Sequence, residues 1–259
     1  MAHTVFETNG SIATLTFNRP EARNAMTWEM YEVLVETCDR VDRDPAIRVL
    51  ILRGAGGKAF VAGTDIAQFA DFREPADGLQ YEARIDHVLD RLERVSKPTI
   101  AQIQGVAAGG GCAIALTCDL RFATPESTFG IPIARTLGNC LSGATYSRLI
   151  DLLGPGAVKD MLFTGRLIPA AEAHAIGLVN RLFAAEDIER AVGELAGQIA
   201  SNAPLTLRAT KEMIRRVTAK RRLAAGEDVD LVEMCYTSDD FREGVTAFLA
   251  KRKPVWSGS

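Results

Sequence analysis

From Thr99 to Cys118 the chain reads TIAQIQGVAAGGGCAIALTC, twenty residues without a charge. That is close to the ~20 residues of a membrane span. Two glutamines, four glycines and few large apolar side chains argue instead for a buried strand, a turn and a buried helix. The flanks point the same way. Tyr81, Ile85, Val88, Leu89, Leu92 and Val95 recur at helical spacing and stop at Lys97-Pro98, where the uncharged stretch begins as a strand. Strand, helix and strand in that order predict a sheet covered by helices through right-handed crossovers.

The alternation extends in both directions. Asn9-Gly10 between two short alternating runs predicts a hairpin over 5–17. Thr27 caps a helix through Tyr31, Leu34, Val35, Cys38 and Val41 that Asp44-Pro45 stops, and Ile47 to Leu52 reads as a buried strand. Beyond the uncharged stretch, a helix at Gly110 to Thr117, a strand at Leu120 to Ala123, helices through about 143–163 and a strand at Leu178 to Phe183 follow. From Asp187 to Arg252 the pattern is helical, broken at Ala203-Pro204. An α/β core with a C-terminal helical extension is expected, without internal repeats.

Composition narrows the chemistry. At 259 residues, 47% hydrophobic and 24% charged, the chain is of ordinary globular make-up and long enough for a substantial core. A net charge of −3 gives no global basic field toward nucleic acid or an anionic membrane. Five scattered cysteines without a CxxC suggest a reducing compartment, and the first twenty residues lack a secretory pattern, so a cytoplasmic protein is expected. His3, His87 and His174 are too dispersed for a helical metal pair, and no metal is expected.

Gly54-Ala55-Gly56-Gly57-Lys58-Ala59 formally fits the dinucleotide motif, but Ala62-Gly63 breaks the chain where that motif needs a helix, and Lys58 is not followed by Ser or Thr. A surface loop is the better reading. In Ala62-Gly63-Thr64-Asp65, Thr64 or Asp65 caps an amphipathic stretch through Ile66, Phe69 and Ala70. Gly105 and Gly109-Gly110-Gly111 mark a second junction, where close backbone approach or tight packing explains the glycines. Two such helix starts, one after each central strand, are able to aim two N–H donors at one point, which is the geometry of an oxyanion hole; the sequence by itself does not fix that convergence. The basic run Lys211, Arg215, Arg216, Lys220, Arg221 and Arg222 reads first as a solvated face, with a phosphate contact second.

The ordered set Phe17-Asn18-Arg19-Pro20-Glu21-Ala22-Arg23-Asn24-Ala25, Lys58 to Ile66, Lys97-Pro98 through Gly109-Gly110-Gly111-Cys112, Cys118-Asp119, Phe129-Gly130 and Thr164-Gly165-Arg166 resembles the crotonase superfamily, the enoyl-CoA hydratase/isomerase family. Ala173 to Val179, Pro204 to Ile214 and Phe248 to Pro254 also match its later landmarks. The resemblance implies an α/β fold with a ββα spiral core over residues 1–186 and a C-terminal helical region, 187–259, that oligomerises as a trimer or a dimer of trimers. It implies an acyl-CoA substrate, with coenzyme A arriving as part of that substrate and no permanently bound cofactor. The oxyanion-hole N–H groups carry over to Thr64 and Gly110. Ala22, Arg23, Ala62, Asp65 and Ile66 fall where the family meets CoA, and Phe248 and Lys251 where a neighbouring subunit reaches it. Ala67 stands where many members have a lysine.

The two hydratase glutamates of the family would fall at Ala113 and at Ile133, or Ala134 with a one-residue shift. Alanine and isoleucine cannot move a proton, so an ordinary hydratase is not expected. Candidates for the missing chemistry are Arg135, as a clamp on a substrate carboxylate, Cys140, as a nucleophile, and His87, as an acid/base. Tyr236 is either a structural tyrosine or a wall of an aromatic acyl pocket. Two functional classes remain open at this point: an enzyme of non-hydratase acyl-CoA chemistry, and a catalytically weak acyl-CoA binder or structural homologue.

Overall fold

Gly10 takes a positive φ of 56° and turns the chain between β1 (Thr4–Asn9) and β2 (Ile12–Phe17), which pair antiparallel from Thr4 with Phe17 to Asn9 with Ile12. The computed structural model describes residues 2–69, 72, 74–224 and 226–259. The Thr27 side chain accepts from Met30 N at 3.3 Å and starts α1 (Trp28–Arg43), which buries Met30, Tyr31, Leu34, Cys38 and Val41. Three circuits follow, each leaving one strand in a first sheet and the next in a second sheet before turning into helix. They are β3 (Val49–Gly54), β4 (Ala59–Ala62) and α2 (Pro75–Glu93); then β5 (Thr99–Ile103), β6 (Val106–Ala108) and α3 (Gly110–Thr117). The third runs through β7 (Leu120–Ala123) and β8 (Thr128–Gly130) into α4 (Ile133–Thr136) and α5 (Gly143–Thr164). After β9 (Ile168–Pro169), α6 (Ala170–Ala175) and β10 (Arg181–Leu182), the chain is helical: α7 (Ile188–Ser201), α8 (Pro204–Ala219), α9 (Val229–Tyr236) and α10 (Asp239–Leu249).

The first sheet has the order β1-β2-β3-β5-β7-β10 and the second β4-β6-β8-β9, parallel except for β1 with β2 and β8 with β9. This is the expected ββα spiral. Alternation explains why the central strands are apolar on both faces. Leu50, Leu52, Ala101 and Ile103 point into the main core, whereas Val49, Ile51, Ile100 and Phe122 meet Ile188, Val192 and Ala196 of α7. The uncharged stretch becomes β5, β6 and the buried α3, and among the described residues no helix is long and apolar enough to cross a membrane.

Differences from expectation are local. The strand at 178–183 contracts to Arg181–Leu182, because only those residues pair with Phe122 and Ala123. α5 leaves helical geometry at Gly154, φ 75°, just before Pro155. Ile66–Phe69 is a short 3₁₀ turn and not the opening of an α-helix, and Ala70 lies outside the described residues. α9 packs on α2, and α10 packs on α4 and the 3₁₀ turn, so the C-terminal helices close over the region between the sheets' helix starts. α8 buries no residue and leaves Leu205, Met213, Ile214 and Val217 exposed.

Candidate active site

A single parallel bridge orients the first of the two N–H groups. Met26 pairs across the Thr64 region, donating its N–H to Gly63 O at 2.9 Å and accepting Asp65 N at 2.9 Å. Because successive backbone groups alternate in direction, the Thr64 N–H between them faces away from Met26, toward α3. Asn24, fully buried, fixes the segment from behind: its side chain donates to Ala55 O at 3.0 Å and Ala59 O at 2.8 Å and accepts from Arg19 N at 2.9 Å.

The second N–H comes from the start of α3. Gly109, at φ 52°, donates to Gly130 O at 2.9 Å and accepts the first helical bond from Ala113 N. Gly110 then stands in the first turn, where an N–H has no partner within the helix. A Cβ on Gly110 would lie 3.8 Å from Thr64 N, so the two groups are neighbours. Neither N–H finds an acceptor among the described residues. Gly63, at φ 102°, and Gly109 let the two segments approach: a Cβ on Gly109 would meet Gly63 Cα at 3.5 Å. The Thr64 hydroxyl is tied to Tyr31 Oη at 2.8 Å and Tyr81 Oη at 2.9 Å, and burial pushes both phenols above their ordinary range.

These groups open on a cleft. Its wall is apolar over most of its extent: Ala62, Ile66, Phe69, Ile85, Ala113, Ile131, Ile133, Leu137, Leu141 and Phe248. Among the described residues that line it, the one carboxyl is that of Glu82, which the sequence reading missed. Glu82 is 5% exposed; its Oε1 accepts from Tyr236 Oη at 2.6 Å and its Oε2 from Ser142 N at 2.9 Å. Burial, with the charge of Asp86 adding to it and the two hydrogen bonds opposing it, pushes this carboxyl up to about 8. Asn139 donates to Tyr236 Oη at 3.1 Å, and its own Oδ1 lies buried without a partner among the described residues. The signal for Glu82 was its phase: Glu82, Ile85 and Leu89 fall on one face of α2.

Of the anticipated residues, Thr64, Gly110, Ala62, Ile66 and Phe248 come together at the cleft. Phe248 does so within its own chain. The three candidates for missing chemistry do not join them. His87 is exposed, five positions beyond Glu82 and so on another face of α2. Cys140 is buried off the cleft wall; its thiol is held up by a hydrogen bond with Cys235 and by burial, the opposite of an activated nucleophile. Arg135 is exposed in a neighbouring groove with Arg252, Lys253 and Trp256. Asp65 is paired with Arg19 at 3.2 Å, Ala22 is half-buried, and Arg23 and Lys251 are exposed. Tyr236 is buried and serves Glu82. No cluster of three or more His, Cys, Asp or Glu side chains among the described residues is placed to hold a metal ion.

The family described as Enoyl-CoA hydratase/isomerase matches residues 7–259. The chain belongs to this family. The short-chain-enoyl-CoA hydratase of Clostridium acetobutylicum is 34% identical over 250 residues, covering 96% of this chain and 95% of that protein. The crotonyl-CoA hydratase of Syntrophomonas wolfei is 36% identical over 250 residues, again 96% and 95%. Among solved structures, methylmalonyl-CoA decarboxylase in complex with 2-nitronate-propionyl-CoA superposes with a TM-score of 0.91 at 28% identity, covering 100% of this chain and 99% of the other. The enoyl-CoA hydratase/isomerase fold therefore extends over the whole chain, C-terminal helices included.

Proposed function

We propose that the chain is an acyl-CoA thioester enzyme that stabilises an enolate or tetrahedral oxyanion with the N–H groups of Thr64 and Gly110, and that it is not an ordinary hydratase. The observation that carries this reading is the pair of unclaimed N–H groups, side by side at the wall of an apolar cleft. One such donor is worth roughly 2.7–4 kcal/mol on a developing oxyanion. Relatives named for CoA thioesters, matched over nearly the full chain, support the substrate class.

The resemblance puts the hydratase acids at Ala113 and Ile133, which line the cleft as hydrocarbon, or at Ala134, which is exposed. Reactions that make the α-carbon electron-rich ask less of those positions. Loss of CO₂ leaves its electron pair on that carbon without a base to break the bond; carbon–carbon cleavage, isomerisation and thioester hydrolysis use the same two donors. The CoA chain would lie along Ala62 and Ile66, with Ala22, Arg23 and Asp65 on one side and Phe248 and Lys251 on the other. The exposed apolar face of α8 supports self-association through 187–259, as a trimer or dimer of trimers.

A panel of acyl-CoA thioesters followed by product mass and released CoA tests the reading. Turnover of a non-hydratable thioester is expected. Retained CoA binding without any turnover would make the protein a binder or structural homologue, and rapid hydration of crotonyl-CoA would overturn the argument from Ala113 and Ile133.

A further inference from the structure

We propose that Glu82 is the acid/base of this site, moving the proton at the acyl carbon next to the thioester carbonyl. The inference rests on the acyl-CoA reading above and names a residue at which the resemblance places no catalytic group.

Three parts of the fold converge to hold this carboxyl. α2 carries it, α9 supplies Tyr236 at 2.6 Å, and the segment before α5 supplies the Ser142 N–H at 2.9 Å. A leucine would fill the same space without the cost of burying a polar group. The arrangement instead keeps a carboxyl at the wall of an apolar cleft, each oxygen engaged by one donor and with further acceptor capacity free. Tyr81, the preceding residue, hydrogen bonds the Thr64 hydroxyl at 2.9 Å, which sets this turn of α2 against the oxyanion hole. Ala113 and Ile133 face the same cleft as hydrocarbon, so no other carboxyl among the described residues lining it competes for the role.

The Glu82 carboxylate takes a proton from the α-carbon; the C–H electron pair becomes the enolate carbon–carbon double bond, and the carbonyl π pair moves onto the thioester carbonyl oxygen between the Thr64 and Gly110 N–H groups. In the reverse direction the neutral carboxyl returns the proton and the enolate collapses. A carboxyl pushed up to about 8 serves both directions near neutral pH. The groups facing it are Tyr236 from α9, Asp228 before α9, and Asp86 and Tyr81 from α2. Tyr146 comes from α5, Tyr31 from α1 and Cys140 from the loop before α5, while Arg148 of α5 faces Asp86 at 3.9 Å.

The test is exchange of the α-hydrogens of butyryl-CoA in D₂O, read by mass, alongside calorimetric binding of the same compound. Wild-type protein is expected to incorporate deuterium, faster as pH rises, with a midpoint near 8. Glu82→Gln is expected to bind butyryl-CoA within about threefold and to exchange at least ~10²-fold more slowly. Tyr236→Phe removes a hydrogen bond that favours the carboxylate, so its midpoint moves to higher pH; a merely structural tyrosine would not shift it. Exchange by Glu82→Gln at the wild-type rate, an unmoved midpoint in Tyr236→Phe, or wild-type binding without exchange would each overturn the assignment while leaving the acyl-CoA reading intact. Failure of the wild-type protein to bind butyryl-CoA would overturn both.

Discussion

An alanine at position 110 would set its Cβ 2.6 Å from Tyr31 Oη and 3.2 Å from Thr64 Oγ1. Comfortable contact begins near about 3.5 Å, so something must give by most of an ångström. Tyr31 cannot swing aside easily: it is 1% exposed and its hydroxyl is held by Thr64 Oγ1, which Tyr81 holds in turn. Relief must come from displacing the start of α3 or from pushing the Thr64 segment back, and either separates the two N–H donors. Such donors act at about 2.7–3.1 Å, and loss of one costs roughly 2.7–4 kcal/mol, or about 10²–10³ in kcat. Thioester binding should hold within a few-fold, because the oxyanion forms only in the transition state. Overpacking adds about 1–3 kcal/mol of destabilisation. The assay is steady-state turnover of whichever thioester the panel identifies, with urea unfolding as the stability control. A folded Gly110→Ala variant with kcat within threefold of wild type would refute the placement of the hole.

Other outcomes follow from the same contacts. Glu82 titrates near 4.5 when unfolded and about 8 in the fold, so between those values the folded chain holds a proton that the unfolded chain has lost, and stability falls as pH rises through the window. At about 1.36 kcal/mol per unit this is on the order of a few kcal/mol; the Tm advantage of Glu82→Gln over wild type should grow from pH 5 to pH 8 and then level. Asn24→Ala strands the buried Ala59 carbonyl and the part-buried Ala55 carbonyl and Arg19 N–H, and should cost about 2–3 kcal/mol in denaturant unfolding. His87→Ala and Cys140→Ala should each leave kcat within about twofold in the same turnover assay, since neither side chain lines the cleft.

Local chemistry made much of the fold legible. The Thr27 cap and the apolar central strands act over a few residues and behave in the structure as their chemistry requires; the hairpin forms too, but its loop is Gly10-Ser11, with positive φ at Gly10 alone and Asn9 still paired in β1. Thr64 and Gly110 are named as N–H donors by the family resemblance; the glycines at the strand-to-helix junction by themselves point only to a close approach of backbone. Neither signal reaches Glu82. It sits among Tyr81, Arg84 and Asp86 in a helix whose polar residues read as solvated, and what buries it is α9, some 150 residues further along the chain. His87, Cys140 and Arg135 drew attention by residue type alone; exposure or burial away from the cleft, decided by tertiary packing, is what separates them from Glu82.

In the proposed function Thr64 and Gly110 polarise a thioester carbonyl. Isotope-edited infrared difference spectroscopy of bound butyryl-CoA carrying ¹³C at that carbonyl measures this directly. A bound carbonyl stretch shifted to lower frequency than in buffer is the expected result, and a bound thioester whose stretch matches the free one would contradict it.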